Sequence, residues 1–449
     1  MKYWLWGCWL MVSVWCQAQE VNSAVCVIQN QGKLLMVQDR VSGRFGLSGG
    51  YIEPGETPAQ AALRELHEET GLTAEIVRPL GRLRNSEAFV CRSRTPIAAT
   101  PAGIVDLLSA PNLGGEILQA RLITPEAPEA PQRFADQLPW LQHKLQPQDD
   151  SPIQLHDNFI AQASLLHRAE LPWIGRIQQW SEPLEPLLTI ANLFGEQTLY
   201  MLLLPLLLPL LGWQKVRELL FAFGTLTLLI TLAKIAVGWP RPFHFNPQLA
   251  DLASSGFGMP SGHTATAMLF WGWLLLEWPR CRQPLLWATL AAFLTGWARV
   301  QLGVHFLSDV LVGGVIGALL LRLRPWLIRA GTNLRWWWGL SAVSLLFAWL
   351  TQSPNLAALT SLGVGLALGQ ALPLVRHSRK PVQTTLLALL GSIACALLQW
   401  QLPALMIGSL PILLLQWSAM ALLGLWLAAG IWWIASLPVT GADDERQQA

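Results

Sequence analysis

Arg299-Val300-Gln301-Leu302-Gly303-Val304-His305-Phe306-Leu307-Ser308-Asp309 joins two apolar runs and places a cation, an imidazole and a carboxylate at the turn between them. Two shorter clusters precede it. Lys234 is followed after six residues by Arg241-Pro242, and Pro260-Ser261-Gly262-His263 comes next. Each cluster ends an apolar stretch, so ionisable groups gather at a membrane boundary, where they are costly and mark function. Their types are specific: three cations for an anion, two histidines for chemistry, one carboxylate to orient a histidine.

Outward from these clusters the chain divides by charge. Its 449 residues are 52% hydrophobic and 13% charged, a composition of polytopic membrane proteins. Charge is dense from Glu20 to about Asp150 and sparse from Pro186 onward, which predicts a soluble domain followed by a helical membrane domain. Nine apolar runs read as helices: 187–211, 219–237, 262–278, 285–300, 305–323, 337–350, 356–375, 382–400 and 410–437. If they alternate across a bilayer, Lys215, Arg217, Arg280, Arg282, Arg322, Arg324, Arg329, Arg376, Arg379 and Lys380 share one side, the cytoplasm. The three clusters and the soluble domain then share the other side. Residues 1–18 read independently as a signal peptide or N-terminal anchor, with Lys2 before an apolar run and Cys16-Gln17-Ala18 at its exit. Cys26 and Cys91 are the two candidates for an exported disulfide. The many tryptophans, Trp336 to Trp338 among them, suit an interfacial belt, and no nucleic-acid signature is present.

The clusters suit phosphate chemistry. Lys234, Arg241 and Arg299 can converge on phosphate oxygens. Ser261 and Gly262 open a helix whose N-terminus favours an anion. His305 and Asp309, four apart, share a helix face, so Asp309 can hold one ring nitrogen and leave the other to attack phosphorus. His263 can protonate the leaving oxygen. In these residues the segment 187–323 resembles the type 2 phosphatidic acid phosphatase family, whose members dephosphorylate lipid phosphates and diphosphates. The resemblance implies His305 as nucleophile, His263 as acid and Asp309 as orienter. Lys234, Arg241, Ser261, Gly262 and Arg299 become phosphate holders, and no metal is required. The family's usual Ser before the third-cluster Arg is Ala298 here.

In the soluble part, 23–30 and 33–40 read as strands around a Gln-Gly turn. A helix starts at Thr57, with Pro58 at its first position and Gln60 completing a capping box, and Gly71 ends it. Glu65, Glu68 and Glu69 crowd one helix face, where oxygen ligands suit Mg²⁺ or Mn²⁺. Gly50, Glu56 and the run Arg64-Glu65-Leu66-His67-Glu68-Glu69-Thr70-Gly71-Leu72 resemble the Nudix box, which implies an α/β/α sandwich and hydrolysis of diphosphates. It also implies metal ligation by Glu68, Glu69 and the Gly50 carbonyl, with Glu65 assisting or acting as base, and an Arg64–Glu56 ion pair. Ser48 stands where the family usually has Pro. Glu116, with Asp106 behind it, is the choice for a further carboxylate.

The expected organisation is a Nudix domain over 20–147, a linker with interfacial helices over 148–186, a lipid phosphatase core over 187–325 and further spans over 334–438. Pro147 to Pro152 reads as the linker itself, and a short helix is expected within 134–145. The expected function is hydrolysis of a lipid (di)phosphate at the periplasmic face of a bacterial inner membrane, with undecaprenyl diphosphate favoured as the spent carrier of wall synthesis. Phosphatidylglycerophosphate or phosphatidate, with the Nudix domain as a non-catalytic diphosphate sensor, is the alternative.

Overall fold

The computed structural model describes residues 21–125, 131–142, 144–250, 254–374, 381–405 and 409–436. The expected leader and Arg376, Arg379 and Lys380 lie outside the described residues. Two compact units divide the chain between Gln162 and Ala163.

The first unit is built on strands β1 (Ser23–Val27), β2 (Gln29–Asn30), β3 (Lys33–Asp39), β4 (Phe45–Gly46), β5 (Ser48–Tyr51), β6 (Ala74–Leu83), β7 (Ser86–Ser93), β8 (Ile97–Ala99), β9 (Ile117–Ile123) and β10 (Ile153–Leu155). Helix α1 (Pro58–Thr70) follows β5, and α2 (Gln137–Leu141) follows β9. One sheet runs β5-β1-β7-β6. The other runs β2-β3-β4, with β9 also paired to β3. The central strand explains the layering, because side chains alternate across a sheet. Ala24, Cys26 and Ile28 join a core with Ala61, Ala62 and Leu66 of α1. Val25 and Val27 join another with Leu138 and Leu141 of α2. Helices therefore cover both sides, as an α/β/α sandwich requires.

The expected turn between the first strands is present, with Gln31 and Gly32 both at positive φ, 48° and 79°. Helix α1 starts and stops where its sequence says. Thr57 accepts the Gln60 N–H, the capping box is complete, and Gly71 closes the helix at φ 74°. Cys26 and Cys91 form a disulfide between β1 and β7. The reading of Pro147 to Pro152 as a linker is corrected. Asp149 is buried and accepts Arg78 at 2.6 Å, Asp150 accepts Gln29 and the Gln31 N–H, each at 2.9 Å, and β10 then pairs parallel with β8. These carboxylates satisfy donors of Arg78, Gln29 and Gln31 in and beside the sheet.

The second unit is helical: α3 (Leu165–Ser181), α4 (Glu185–Leu193), α5 (Gln197–Val237), α6 (Pro242–Phe245), α7 (Gly262–Leu276), α8 (Pro284–Gln301), α9 (Leu307–Arg322), α10 (Arg324–Thr332), α11 (Leu334–Thr351), α12 (Pro354–Ala371), α13 (Pro381–Gln401), α14 (Ser409–Leu425) and α15 (Ile431–Ser436). Among the described residues three helices are long and apolar enough to cross a membrane, or up to four if the bent pair α9–α10 counts as one. The first two apolar runs are not separated by a loop. They merge in α5 across a break at Gly212, whose φ of 77° and ψ of 162° are not helical. Forty-one unbroken residues would extend about 60 Å, twice a hydrocarbon core; the break leaves 197–211 short of a span and gives 213–237 a span-like length. Glycines bring α7 and α9 together: a Cβ on Gly313 would lie 2.3 Å from the Ser261 carbonyl oxygen, and one on Gly317 2.6 Å from that of Ala265. Trp336 and Trp338 are exposed as a belt requires, but Trp337 is buried and donates to the Gly331 carbonyl.

Candidate active sites

In the helical unit His305 occupies the turn before α9, and Asp309 lies in the first turn of that helix. Their separation brings them together as expected: His305 Nδ1 is 3.1 Å from Asp309 Oδ2. The same carboxylate oxygen accepts the Phe306 N–H at 2.9 Å, which fixes its orientation. Both side chains are buried. The other ring nitrogen of His305, Nε2, faces Arg241 Nη1 at 3.3 Å.

Arg241 also donates to the carbonyls of Ser255 and Gly256, each at 2.7 Å, and of Val304 at 2.8 Å. Lys234 Nζ donates to the Phe257 carbonyl at 2.6 Å. Both cations thus hold the loop before Pro260, and Arg241 also ties it to the turn before His305, a clamping part that sequence spacing did not suggest. Arg299 is buried and donates to Asn192 Oδ1 at 3.1 Å, while its Nε has no hydrogen-bond partner among the described residues. An orphaned buried guanidinium donor is costly, and an anion would satisfy it. Ser261 caps α7, with its Oγ 3.0 Å from Thr264 Oγ1, and its own N–H donates to the Asp309 carbonyl at 2.9 Å. Gly262 follows at the helix start, where a Cβ would meet only Ile230 at an ordinary 3.5 Å. Arg241, Lys234, Arg299 and His263 all act electrostatically on His305, so one cluster contains them. Ala298 is buried beside it.

Several partners here were missed from sequence. His263 Nε2 lies 3.1 Å from Glu196 Oε1. The Ser308 N–H donates to Glu170 at 3.2 Å, and the His167 ring stacks on Phe306 at 4.4 Å. All three groups come from α3 or the α4–α5 junction, outside the clusters. The one local hint is the i, i+4 spacing of Asn192 and Glu196, which sits in what reads as a plain apolar run.

In the first unit, Arg64 makes the expected pair with Glu56, Nε to Oε1 at 3.0 Å and Nη2 to Oε2 at 3.1 Å. That bond holds the Glu56 carboxyl below its usual range and raises the Arg64 guanidinium. Arg64 Nη1 also reaches Glu65 at 2.9 Å and Glu68 at 3.2 Å, which helical crowding alone did not predict. Glu69 turns inward, where Ser48 Oγ donates to it at 2.6 Å, and burial pushes its carboxyl up to about 8. Burial also raises Glu65 and Glu116, and Glu116 acts electrostatically on Glu65 and Glu69. Asp106 instead caps the Leu108 N–H and accepts Gln162. Glu116, not Asp106, therefore accompanies the box. Gly50 is needed for space, since a Cβ there would lie 2.3 Å from Glu65 Oε1.

Among the described residues no three His, Cys, Asp or Glu side chains form a ready ligand cage. The reason is visible: Glu65 and Glu68 turn to Arg64, and Glu69 turns to Ser48. The donor chemistry still fits a hard divalent cation. Glu65, Glu69 and Glu116 are oxygen donors raised by burial and then by neighbouring carboxylates, Glu116 and Glu68 on Glu65, Glu65 and Glu116 on Glu69, Asp39 and Glu68 on Glu116, the conflict that such an ion relieves.

Comparison with known proteins matches a segment in each unit. Residues 19–143 match the model of the NUDIX domain, and residues 215–332 match that of the PAP2 superfamily. Phosphatase NudJ of Escherichia coli is 38% identical over 55 residues, 12% of this chain and 36% of that protein. The chain thus spans about a third of the length of that curated relative. A crystal structure of a transmembrane PAP2-type phosphatidylglycerolphosphate phosphatase from Bacillus subtilis is 24% identical, covering 37% of this chain and 89% of that one, with a TM-score of 0.33. An ADP-ribose pyrophosphatase from Streptococcus suis is 17% identical, covering 29% of this chain and 97% of that one, with a TM-score of 0.23. The clusters around His305 and around the Arg64–Glu69 helix each fall inside a matched segment, and the chain therefore joins a NUDIX domain to a PAP2-superfamily domain.

Proposed function

We propose that the helical unit is a membrane phosphatase that hydrolyses the phosphate end of a lipid phosphate or diphosphate through His305. The observation that carries this reading is the Asp309–His305 contact, which ties down Nδ1 and leaves Nε2 as the ring nitrogen facing the Arg241 guanidinium. In the first step Nε2 attacks phosphorus, the bond from phosphorus to the lipid-side oxygen breaks, and His263 gives that oxygen its proton. In the second step water attacks the phosphohistidine, His263 takes the proton back, and the phosphorus–nitrogen bond breaks. Lys234, Arg241 and Arg299 hold the charge that gathers on the phosphoryl oxygens. Ser261 and Gly262 add the N-terminus of α7 to that anion site.

Undecaprenyl diphosphate is the favoured substrate, and the periplasmic face of an inner membrane the favoured location. The Cys26–Cys91 disulfide supports export, since such bonds persist in oxidising compartments. A phosphate-release assay across isoprenyl diphosphates, phosphatidylglycerophosphate and phosphatidate, with and without EDTA, tests both substrate and mechanism. His305→Ala is expected to abolish release. Retained release in that variant overturns the assignment, and preference for a glycerolipid overturns the substrate.

The NUDIX domain we read as a second hydrolase of diphosphates. Glu68, Glu69, Glu65 and the Gly50 carbonyl would hold Mg²⁺ or Mn²⁺, with Glu116 completing the oxygen set. When bound, the ion supplies Lewis-acid polarisation of phosphoryl oxygen. Arg64 positions Glu56, Glu65 and Glu68, and Ser48 positions Glu69. Glu68→Gln should remove Mg²⁺-dependent diphosphate hydrolysis while leaving lipid phosphate release intact. A changed lipid rate with no diphosphate turnover in the wild type would instead make this domain a sensor.

A further inference from the structure

We infer that Glu196, supported by Asn192 and Gly195, is the positioning residue of the His263 acid, an inference that rests on the phosphatase reading above. Neither the three clusters nor the matched PAP2 segment contains these residues. They form one chain of contacts. Arg299 Nη1 donates to Asn192 Oδ1 at 3.1 Å, Asn192 Nδ2 donates to Glu196 Oε1 at 3.2 Å, and His263 Nε2 lies 3.1 Å from the same oxygen. The polarity is consistent, because the amide accepts through oxygen from a donor-only guanidinium and donates through nitrogen to an acceptor-only carboxylate.

Backbone shape reinforces the contact. A Cβ built on Gly195 would lie 2.4 Å from His263 Cβ and 2.8 Å from its Cα, so the α4–α5 junction lies directly against the histidine. Glu196 directly precedes α5, and Asn192 lies in the last turn of α4. Two short helix ends thereby hold a phosphate-binding cation and an acid in one register. With Nε2 held by Glu196, Nδ1 is the ring nitrogen that remains to protonate the leaving oxygen. The carboxylate also favours the imidazolium that must exist before that transfer. The arrangement parallels Asp309 on His305: each histidine has one nitrogen held by a carboxylate and one for chemistry.

The test uses full-length protein in detergent and two substrates that differ in leaving group. Phosphatidate leaves as an alkoxide and needs the acid, whereas p-nitrophenyl phosphate leaves as a stabilised phenolate and does not. The parameter is kcat/KM, which reports steps through the first phosphoryl transfer. Glu196→Gln should lower kcat/KM for phosphatidate about tenfold to a hundredfold and change that for p-nitrophenyl phosphate by less than about threefold. Glu196→Asp should restore part of the loss, and His263→Ala should lower kcat/KM for phosphatidate at least as far as Glu196→Gln does. Gly195→Ala, which displaces His263 without touching charge, should follow Glu196→Gln. Equal losses on both substrates, or no loss on either, overturn the positioning role. Should the wild type release phosphate from neither of these substrates nor from an isoprenyl diphosphate, or His305→Ala keep wild-type rates, the phosphatase reading itself falls and takes this inference with it.

Discussion

His305 can act as a nucleophile only if one nitrogen stays unprotonated while the other is tied down, and Asp309 does the tying. Replacing it with Asn keeps the shape but lets the ring adopt the other tautomer. Asp309→Asn should therefore reduce phosphate release by about a thousandfold or more, with the protein still folded by size exclusion. A loss below tenfold would show that orientation of this ring is not what limits the reaction. The contact was readable because spacing fixes it: four residues on a helix put Asp309 under His305. The roles of Glu196, Asn192 and Ser48 were not readable. Each reaches its partner across a tertiary gap, and sequence carries no spacing rule for such contacts. Ser48, standing where the resembled family usually has Pro, supplies a hydroxyl to buried Glu69.

At the scale of elements, α3 packs against the turn that carries His305 through His167 and Phe306. One face of this helix is buried through His167, Leu171, Ile174 and Ser181, while Leu166, Trp173 and Trp180 are exposed on another, as suits a helix lying in an interface. His167 stacks on Phe306, the neighbour of His305, and meets Trp239 edge-on at 4.8 Å. Burial lowers its imidazole below the ordinary value of 6.5, with Glu170 pulling the other way. The sign follows from linkage. A depressed folded value means that the unfolded chain binds the extra proton, so this stability is complete above the ordinary value and is lost as pH falls through the folded one. Melting temperature should therefore drop between pH 7 and pH 5 in the wild type and drop less in His167→Phe. Identical slopes would remove His167 from the acid response. Local signals did place α1, because Thr57, Pro58, Gln60 and Gly71 act within one helix. They failed for the first two apolar runs, where a single backbone break at Gly212 does the work assigned to a loop.

For the whole molecule, the helices after Pro325 share a core with those that carry the chemistry. Leu366, Ala388, Met420 and Ile431 belong to the same buried cluster as Phe221, Leu226 and Phe270. Gly224 of α5 lies so close to α11 that a Cβ there would sit 2.8 Å from Leu340 Cδ2. Truncation after Pro325 should therefore lower both yield and melting temperature and reduce phosphate release even where His305 and Asp309 are intact. A truncated protein with full activity and an unchanged melt would make those helices an independent appendage. Sequence could count these apolar runs but could not say what they touch, since lipid-facing and protein-facing leucines look alike.

The covalent tie between β1 and β7 has a consequence for how the molecule matures. Its two thiols are 65 residues apart in sequence, and closing so long a loop contributes about 2–4 kcal/mol to a small sandwich. A chain kept in a reducing cell extract should carry both thiols free and resist protease poorly over 21–162, whereas protein drawn from the envelope should show the bridged peptide by mass spectrometry. Production hosts lacking an oxidant supply would then yield helices in working order attached to a frayed sandwich, and the two catalytic activities would be lost separately.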